Sequence, residues 1–162
     1  MADKNLKDVP SSFELLRCME EMALYLPDLE SPDFGPGDFS PSQKTEAGSI
    51  ILPYAVLGDV ADAFVSAAYD RGWVLRGFDW VSWAHSDEAQ AMCSDPSTLE
   101  RAEPLQLVYL ITALIRQDRF SEGALLGSFK SRLILGIVHR AAAIIEEERR
   151  RSLSPVRTCR SD

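Results

Sequence analysis

Five charged side chains, gathered in two segments of the sequence, could form one chemical site. Arg116, Asp118, Arg119 and Glu122 lie within seven residues, and Asp79 lies in an earlier aromatic segment. Two guanidinium groups beside two or three carboxylates could bind an anion and supply a general acid or base next to it. The alternative is an ion-pair network that holds the corner between two helices and satisfies their backbone ends. We favour the network, because structural ion pairs produce the same charge pattern.

The second set of candidate residues is aromatic. Phe78, Trp80 and Trp83 lie within six residues, and the two tryptophans would share a face if this segment forms a helical turn. Aromatic rings beside arginine could stack a planar ligand, a nucleobase or a methylated cation. The alternative, which we favour, is core packing in which each indole N–H binds one acceptor. Together the two sets predict one site for a ligand or a partner, with the candidate residues Asp79, Trp80, Trp83, Arg116, Asp118, Arg119 and Glu122.

The sequence contains no clear motif for nucleophilic catalysis, phosphate binding or zinc binding. His85 lies close to Ser82 and Ser86, but no G-x-S-x-G turn presents a nucleophile. No glycine-rich phosphate loop occurs, and the three cysteines and two histidines are not clustered as zinc ligands are. We therefore predict no catalytic residue, no metal site and no cofactor, and we lean against an enzyme.

A central apolar helix is the element that would position the candidate residues. It begins at Pro104, because proline suits the first helical turn, and it runs to about Gln117. Residues 105–115 are apolar on nearly every side of this helix, so we expect other elements to enclose it. Residues 116–122 then carry their charges to the edge of the core.

The remaining segments predict a mainly α fold, a single domain of about five to six helices around the central apolar helix. Ser11, with Glu14 three residues on, starts the first helix as a capping box, and Pro27 ends that helix. A minor two-stranded β ribbon would pair Ile50–Leu52 with Trp73–Arg76.

The domain organisation follows from chain length and composition. A chain of 162 residues is long enough for one domain with a substantial core. We predict a disordered N-terminus over 1–10, a single helical domain over 11–151 and an arginine-containing flexible tail over 152–162. Within the domain, 27–48 holds four of the nine prolines, and we interpret it as a long loop that is either a lid or a tether.

The net charge of −8 bears on the choice of partner. Residues 1–48 hold ten acids and four bases, a net charge of −6. Such an acidic surface favours a protein partner with a basic surface and disfavours nucleic acid. The longest apolar run is too short to span a bilayer, and the N-terminus lacks a secretory pattern. We therefore predict no membrane segment and a cytoplasmic location, whereas composition leaves the oligomeric state open.

Two motifs carry a resemblance to a known family. The sequence reads FDWxxW over 78–83 and RxDRFxEG over 116–123. Over roughly 50–145 the chain resembles a family of uncharacterised bacterial proteins known only as a domain of unknown function. The resemblance implies a mostly helical fold and a bacterial or phage source, and it implies no activity, cofactor or catalytic residue. Members have a glycine in the turn before the last helix, where this chain has Lys-Ser-Arg at 130–132.

Two functions of different classes remain open on the sequence. We favour a protein-interaction module without catalysis, such as a bacterial or phage accessory, inhibitor or immunity-type protein. The alternative is a small-ligand or nucleotide-binding protein, or an enzyme, that uses a cleft between Trp80 and the segment around Arg119. The binding pocket and its alternative, the ion-pair network, both require Trp80 and Arg119 to lie on the same side of the molecule.

Overall fold

A computed structural model of the chain describes residues 9–154, and this range is mainly helical with a small antiparallel β region. The predicted mainly α class is therefore confirmed. The described residues form nine helices: α1 Ser12–Ala23, α2 Leu26–Glu30, α3 Asp59–Asp70, α4 Trp80–Ala84, α5 Asp87–Ser94, α6 Pro96–Leu99, α7 Pro104–Gln117, α8 Ala124–Lys130 and α9 Leu133–Leu153. The sequence predicts fewer, because α2, α4 and α6 have only four or five residues. Helices this short contain too little of the helical period to be recognised.

The start of α1 is stabilised as its sequence predicts. The backbone N–H of Glu14 donates to Oγ of Ser11 at 3.2 Å, and the N–H of Ser11 donates to Oε2 of Glu14 at 2.7 Å. The end of α1 differs from the prediction, because Pro27 lies in the first turn of α2 and begins a helix there. Proline is tolerated at this position because the first helical N–H groups have no intrahelical acceptor.

Helix α7 is buried along most of its length. Its buried side chains are Leu107, Val108, Leu110, Ile111, Thr112, Ala113, Leu114 and Ile115. Thr112 is the polar member, and its Oγ1 donates to the carbonyl of Val108 at 2.8 Å and accepts the N–H of Leu75 at 3.0 Å. The segment Trp73–Leu75 is buried as well. The predicted strand over Trp73–Arg76 is therefore wrong, since the backbone N–H of Leu75 binds a helix side chain.

Two short antiparallel ribbons form one long hairpin. Strand β1 (Gly37–Phe39) pairs with β4 (Ala55–Leu57), and β2 (Gln43–Lys44) pairs with β3 (Ile50–Ile51). Gly37 lies opposite Leu57 and Lys44 opposite Ile50, so both ribbons keep the same register. Residues 37–57 are thus a single hairpin, which we call the arm. The partner of Ile50–Ile51 comes from within 27–48, so the predicted pairing with Trp73–Arg76 is wrong.

The base of the arm depends on close approach of backbone segments. The N–H of Gly58 donates to the carbonyl of Pro36 at 3.0 Å. A Cβ atom at Gly58 would lie 2.0 Å from the carbonyl oxygen of Gly35, and one at Gly37 would lie 2.0 Å from that of Val56. Only residues without a Cβ allow the chain to cross itself here.

The turn between α8 and α9 contains a left-handed residue other than glycine. Arg132 has φ 67° and ψ 15°, and it follows Ser131, which has an ordinary right-handed helical conformation. This is the turn in which the resemblance implies a glycine. A left-handed residue after a helix end is usually glycine, because a Cβ makes that conformation costly.

Replacing Arg132 with glycine should therefore raise the free energy of unfolding by about 1 kcal/mol. The measurement is urea unfolding of the wild type and the variant. Ser131→Gly is the matched control, because it adds backbone entropy at a right-handed position and should lower stability instead. Equal destabilisation by both substitutions would contradict the assignment of strain to Arg132.

The two predicted terminal segments lie mostly outside the described residues. The structure describes Val9 and Pro10 of the predicted N-terminal segment 1–10. Of the predicted tail 152–162, it describes Ser152–Ser154, and α9 continues to Leu153. Within residues 9–154, no helix has the length and apolar character needed to cross a membrane.

Candidate functional site

The structure brings the two candidate segments to the same side of the molecule. The ring of Trp80, in the first position of α4, stacks against that of Phe120, with centroids 6.0 Å apart and planes 29° apart. Phe120 belongs to the turn after α7, residues 118–123, which we call the corner. Trp80 and Arg119 therefore share one region, as any joint site requires.

Two of the candidate carboxylates bind backbone N–H groups at helix starts. Asp79 is the N-cap of α4 and accepts the N–H of Ser82 at 3.2 Å. Hydrogen bonds from the side chain and the backbone of Ser82 lower the pKa of Asp79 from its ordinary value. Asp118 accepts the N–H of Leu125, in the first turn of α8, at 3.0 Å. Each carboxylate thus satisfies a backbone group at the start of a helix.

The third carboxylate attaches the corner to the arm. Oε1 of Glu122 accepts the N–H of Ala55, in β4, at 3.0 Å. Beside it, the ring of Phe39 in β1 covers Gly123 so closely that a Cβ there would lie 2.4 Å from Cζ of Phe39. The corner therefore contacts both the Trp80 turn and the base of the arm.

The two candidate arginines do not pair with these carboxylates. Nη2 of Arg116 donates to the carbonyl of Arg76 at 3.4 Å. Among residues 9–154, no ion pair within 4.0 Å involves Arg116 or Arg119. The expected ion-pair network is therefore not formed in the described part of the chain. Backbone hydrogen bonds hold the corner instead.

The two candidate tryptophans have different environments. Trp83 packs against Phe78 and Tyr109, whose rings stack with centroids 3.9 Å apart. Its Nε1–H donates to Oε2 of Glu88 at 2.9 Å. Trp83 thus follows the core-packing interpretation, whereas Trp80 remains half-buried against an exposed ring. The pair does not form one stacking platform.

The serine and histidine side chains near Trp83 serve local structure. Nδ1 of His85, the residue that directly follows α4, lies 2.7 Å from the carbonyl oxygen of Val81. Oγ of Ser86 donates to the carbonyl of Trp83 at 2.6 Å and accepts the N–H of Ala89 at 3.2 Å. Among the described residues, no group of three His, Cys, Asp or Glu side chains is placed to hold a metal ion.

Surface cavities of about 290 to 430 Å³ are lined by residues outside the corner. One, of about 330 Å³, is lined by the end of α2 and the segment after it, together with Phe129, Lys130 and Arg132. Another, of about 430 Å³, lies between α6 and α9 and is lined by Leu99 and Arg140 among others. None of the seven candidate residues lines any of these cavities.

Sequence reasoning missed the exposed apolar side chains at this site. Phe120 is 81% exposed, although it stands in the recognised RxDRFxEG motif. The exposure of Phe120 could have been predicted from its place among charged residues in the turn that follows a helix. Such turns lie at the surface, where few core side chains are available to bury a phenylalanine. The apolar residues of the predicted strand Ile50–Leu52 are likewise exposed, on the arm.

Comparison with known proteins decides the family. A model of the family described as "Family of unknown function (DUF6508)" matches residues 16–147. The chain belongs to this family. The predicted resemblance to a domain of unknown function is thereby confirmed. The DUF6508 match begins within α1, well before the range over which the sequence indicated it, and spans the arm, the corner and most of α9. No curated protein and no solved structure matches the chain.

Proposed function

We propose that this DUF6508 chain is a protein-interaction module without catalytic activity, in the manner of a bacterial or phage accessory, inhibitor or immunity-type protein. In this proposal a single helical domain is organised around α7 and acts in the cytoplasm. It presents the corner and the neighbouring Trp80 turn to a protein partner that has a basic surface. The aromatic pair of the exposed Phe120 and the half-buried Trp80 is the observation that carries the proposal.

The aromatic pair has the properties of an interface anchor. Phe120 leaves 81% of its surface to solvent, and its only ring contact within the described residues is with Trp80. Tryptophan and other aromatic residues are enriched at the centres of protein interfaces, where a few side chains carry most of the binding energy. A stacked pair is also restrained before binding, so less conformational entropy is lost when a partner covers it.

The carboxylates beside the aromatic pair favour an interaction function rather than a catalytic one. Asp79, Asp118 and Glu122 each accept a backbone N–H at 3.0 to 3.2 Å. Each of these hydrogen bonds holds the carboxylate against its own chain. At Asp79 the hydrogen bonds from Ser82 also lower the pKa, which makes this carboxylate a weaker general base. The overall charge of −8 would attract a partner of opposite charge and speed its association.

Replacing Phe120 with alanine should weaken the complex with the partner about tenfold, because the substitution removes an aromatic anchor. The partner is recovered at low salt from the cells in which the sequence occurs, identified by mass spectrometry, purified and titrated by calorimetry. Phe13→Ala is the matched control, since Phe13 is 78% exposed on α1 and lies outside the corner. Recovery of no partner, or equal affinity of Phe120→Ala and wild type, would contradict the proposal.

The alternative function is a small-ligand or nucleotide-binding protein, or an enzyme, that uses Asp79, Trp80, Arg116 and Arg119. One observation favours it: Arg119 has no ion-pair partner among residues 9–154 and directly precedes the exposed ring of Phe120. A guanidinium beside aromatic rings can hold an anionic planar ligand. Thermal unfolding with nucleotides and sugar phosphates tests this, since a ligand at 100 times its Kd stabilises by about 2.7 kcal/mol. A stabilisation that Arg119→Ala abolishes would favour the alternative.

A further inference from the structure

The arm carries an unusual share of the exposed apolar surface. Six of the thirteen large apolar side chains exposed within residues 9–154 lie on this one hairpin, namely Phe39, Ile50, Ile51, Leu52, Tyr54 and Val56. Every residue from 46 to 54 is exposed. An isolated two-stranded hairpin is only marginally stable in water. A hairpin whose aliphatic side chains face solvent exposes apolar surface, which association with a partner would bury.

The edges of the arm are blocked near its base, so its side chains are the recognition element. The outward N–H of Ala55 binds Glu122 at 3.0 Å, and that of Phe39 binds its neighbour Asp38 at 2.9 Å. Pro41 and Pro53 separate the two ribbons and remove two further donors. Proteins use these devices to prevent strand-to-strand pairing. A partner would therefore contact the apolar side chains rather than add a strand to the arm.

The arm is set in an acidic surface. Residues 28–62 contain seven acids and a single base, Lys44, which gives a net charge of −6 out of the −8 of the whole chain. Asp38 forms an ion pair with Lys130, and Oε1 of Glu30 lies 2.7 Å from Nε2 of His139. Asp28, Asp33, Glu46, Asp59 and Asp62 are exposed and form no ion pair within residues 9–154. Glu46 lies near the tip of the arm, two residues from Lys44, and the other four carboxylates lie in the segments that flank the base of the arm.

We propose that the arm is the docking element of this chain, and that its occupant is an apolar cleft with a cationic rim on a partner protein. This inference rests on the interaction function proposed above. The aliphatic tip around Ile50 and Leu52 enters the cleft, while the carboxylates of the segments that flank the base of the arm meet lysine and arginine side chains at the rim. The arm touches the corner through Phe39 and Glu122, so both would belong to one continuous interface.

Charge decides between this occupant and the others that an apolar hairpin could have. A second copy of the chain would bring a segment of charge −6 against an identical one, and like charges placed face to face oppose association. A membrane surface rich in anionic lipids would repel the same carboxylates. A cationic protein surface gains from both the charge and the apolar tip.

The experiment begins with site-specific cross-linking in the cells in which the sequence occurs. A photoreactive amino acid replaces Leu52, and in a control chain it replaces Leu153, which is 82% exposed at the end of α9. The protein captured through position 52 is identified, purified and titrated against the wild type and the variant Ile50→Ser with Leu52→Ser. Leu24→Ser, at an exposed position after α1, is the matched control. Circular dichroism confirms that each variant is folded.

We expect capture through position 52 of a protein with a basic surface. The arm variant should bind it at least about tenfold more weakly than the wild type and Leu24→Ser do. The association rate should fall as salt is raised, because the charges are screened.

A purified complex that Phe120→Ala weakens and the arm variant leaves unchanged would overturn this inference and preserve the proposed function. Capture of a second copy of the chain, or of an acidic protein, would also overturn it. Failure to recover any partner by cross-linking or at low salt would overturn both.

Discussion

Replacing Gly58 with alanine is expected to lower the free energy of unfolding by about 3 kcal/mol and to displace the base of the arm. The backbone of Gly58, with φ −69° and ψ 164°, suits alanine, so the effect is purely steric. The added Cβ would lie 2.0 Å from the carbonyl oxygen of Gly35 and 3.0 Å from its carbonyl carbon. Because both atoms belong to the backbone, the chain must separate where the arm leaves the helices.

Gly127→Ala is the matched control for this substitution. Gly127 lies inside α8, and no heavy atom outside its own helix lies within 4 Å of the position of its Cβ. Alanine is a better helix former than glycine by about 1 kcal/mol, so this variant should be more stable than the wild type. Urea unfolding gives both free energies, and hydrogen exchange at residues 38–44 reports the arm. Equal and small effects of the two substitutions would contradict the crowding at Gly58.

Replacing Thr112 with valine should lower the free energy of unfolding by about 2 kcal/mol, although the two side chains have nearly the same shape. Thr112 is fully buried in α7, and its hydroxyl oxygen is the acceptor for the N–H of Leu75 at 3.0 Å. Valine leaves that buried N–H without a partner, and desolvation of an unsatisfied donor is costly. The binding of the segment Trp73–Leu75 to α7 should loosen as a result.

Thr112→Ser separates the hydrogen bond from the packing. Serine keeps the hydroxyl group and removes one methyl group, which should cost about 1 kcal/mol. Urea unfolding should therefore give the order wild type, serine, valine from most to least stable. A valine variant at least as stable as the serine variant would show that the N–H of Leu75 finds another acceptor.

Local signals in the sequence predicted those parts of the fold that depend on neighbours in the chain. The Ser11–Glu14 capping box and the proline start of α7 are such features, because cap and helix lie within four residues of each other. The arm could not be predicted in this way. Its strands pair across up to twenty residues, and the prolines and glycines of 27–48 are equally typical of an irregular loop.

The sequence predicted where the candidate site lies, but it did not predict the hydrogen bonds that the candidate residues form. The motifs around Trp80 and Arg119 do meet, through the ring of Phe120. The partners of the carboxylates are backbone N–H groups of Ser82, Leu125 and Ala55, whose positions depend on where α8 and the arm are folded. The sequence shows which side chains lie at the corner. It does not show that Glu122 binds the backbone N–H of Ala55, because folding brings that donor from 67 residues away.

The single register of the arm makes its length adjustable. Gly37 and Leu57 face each other at one end, and Lys44 and Ile50 face each other near the other, without a slip between them. Matched deletions from both strands would leave the pairing at the base intact and retract the tip by about 3.4 Å for each pair removed. The reach of the hairpin can therefore be changed by design while the helical body that holds it stays the same.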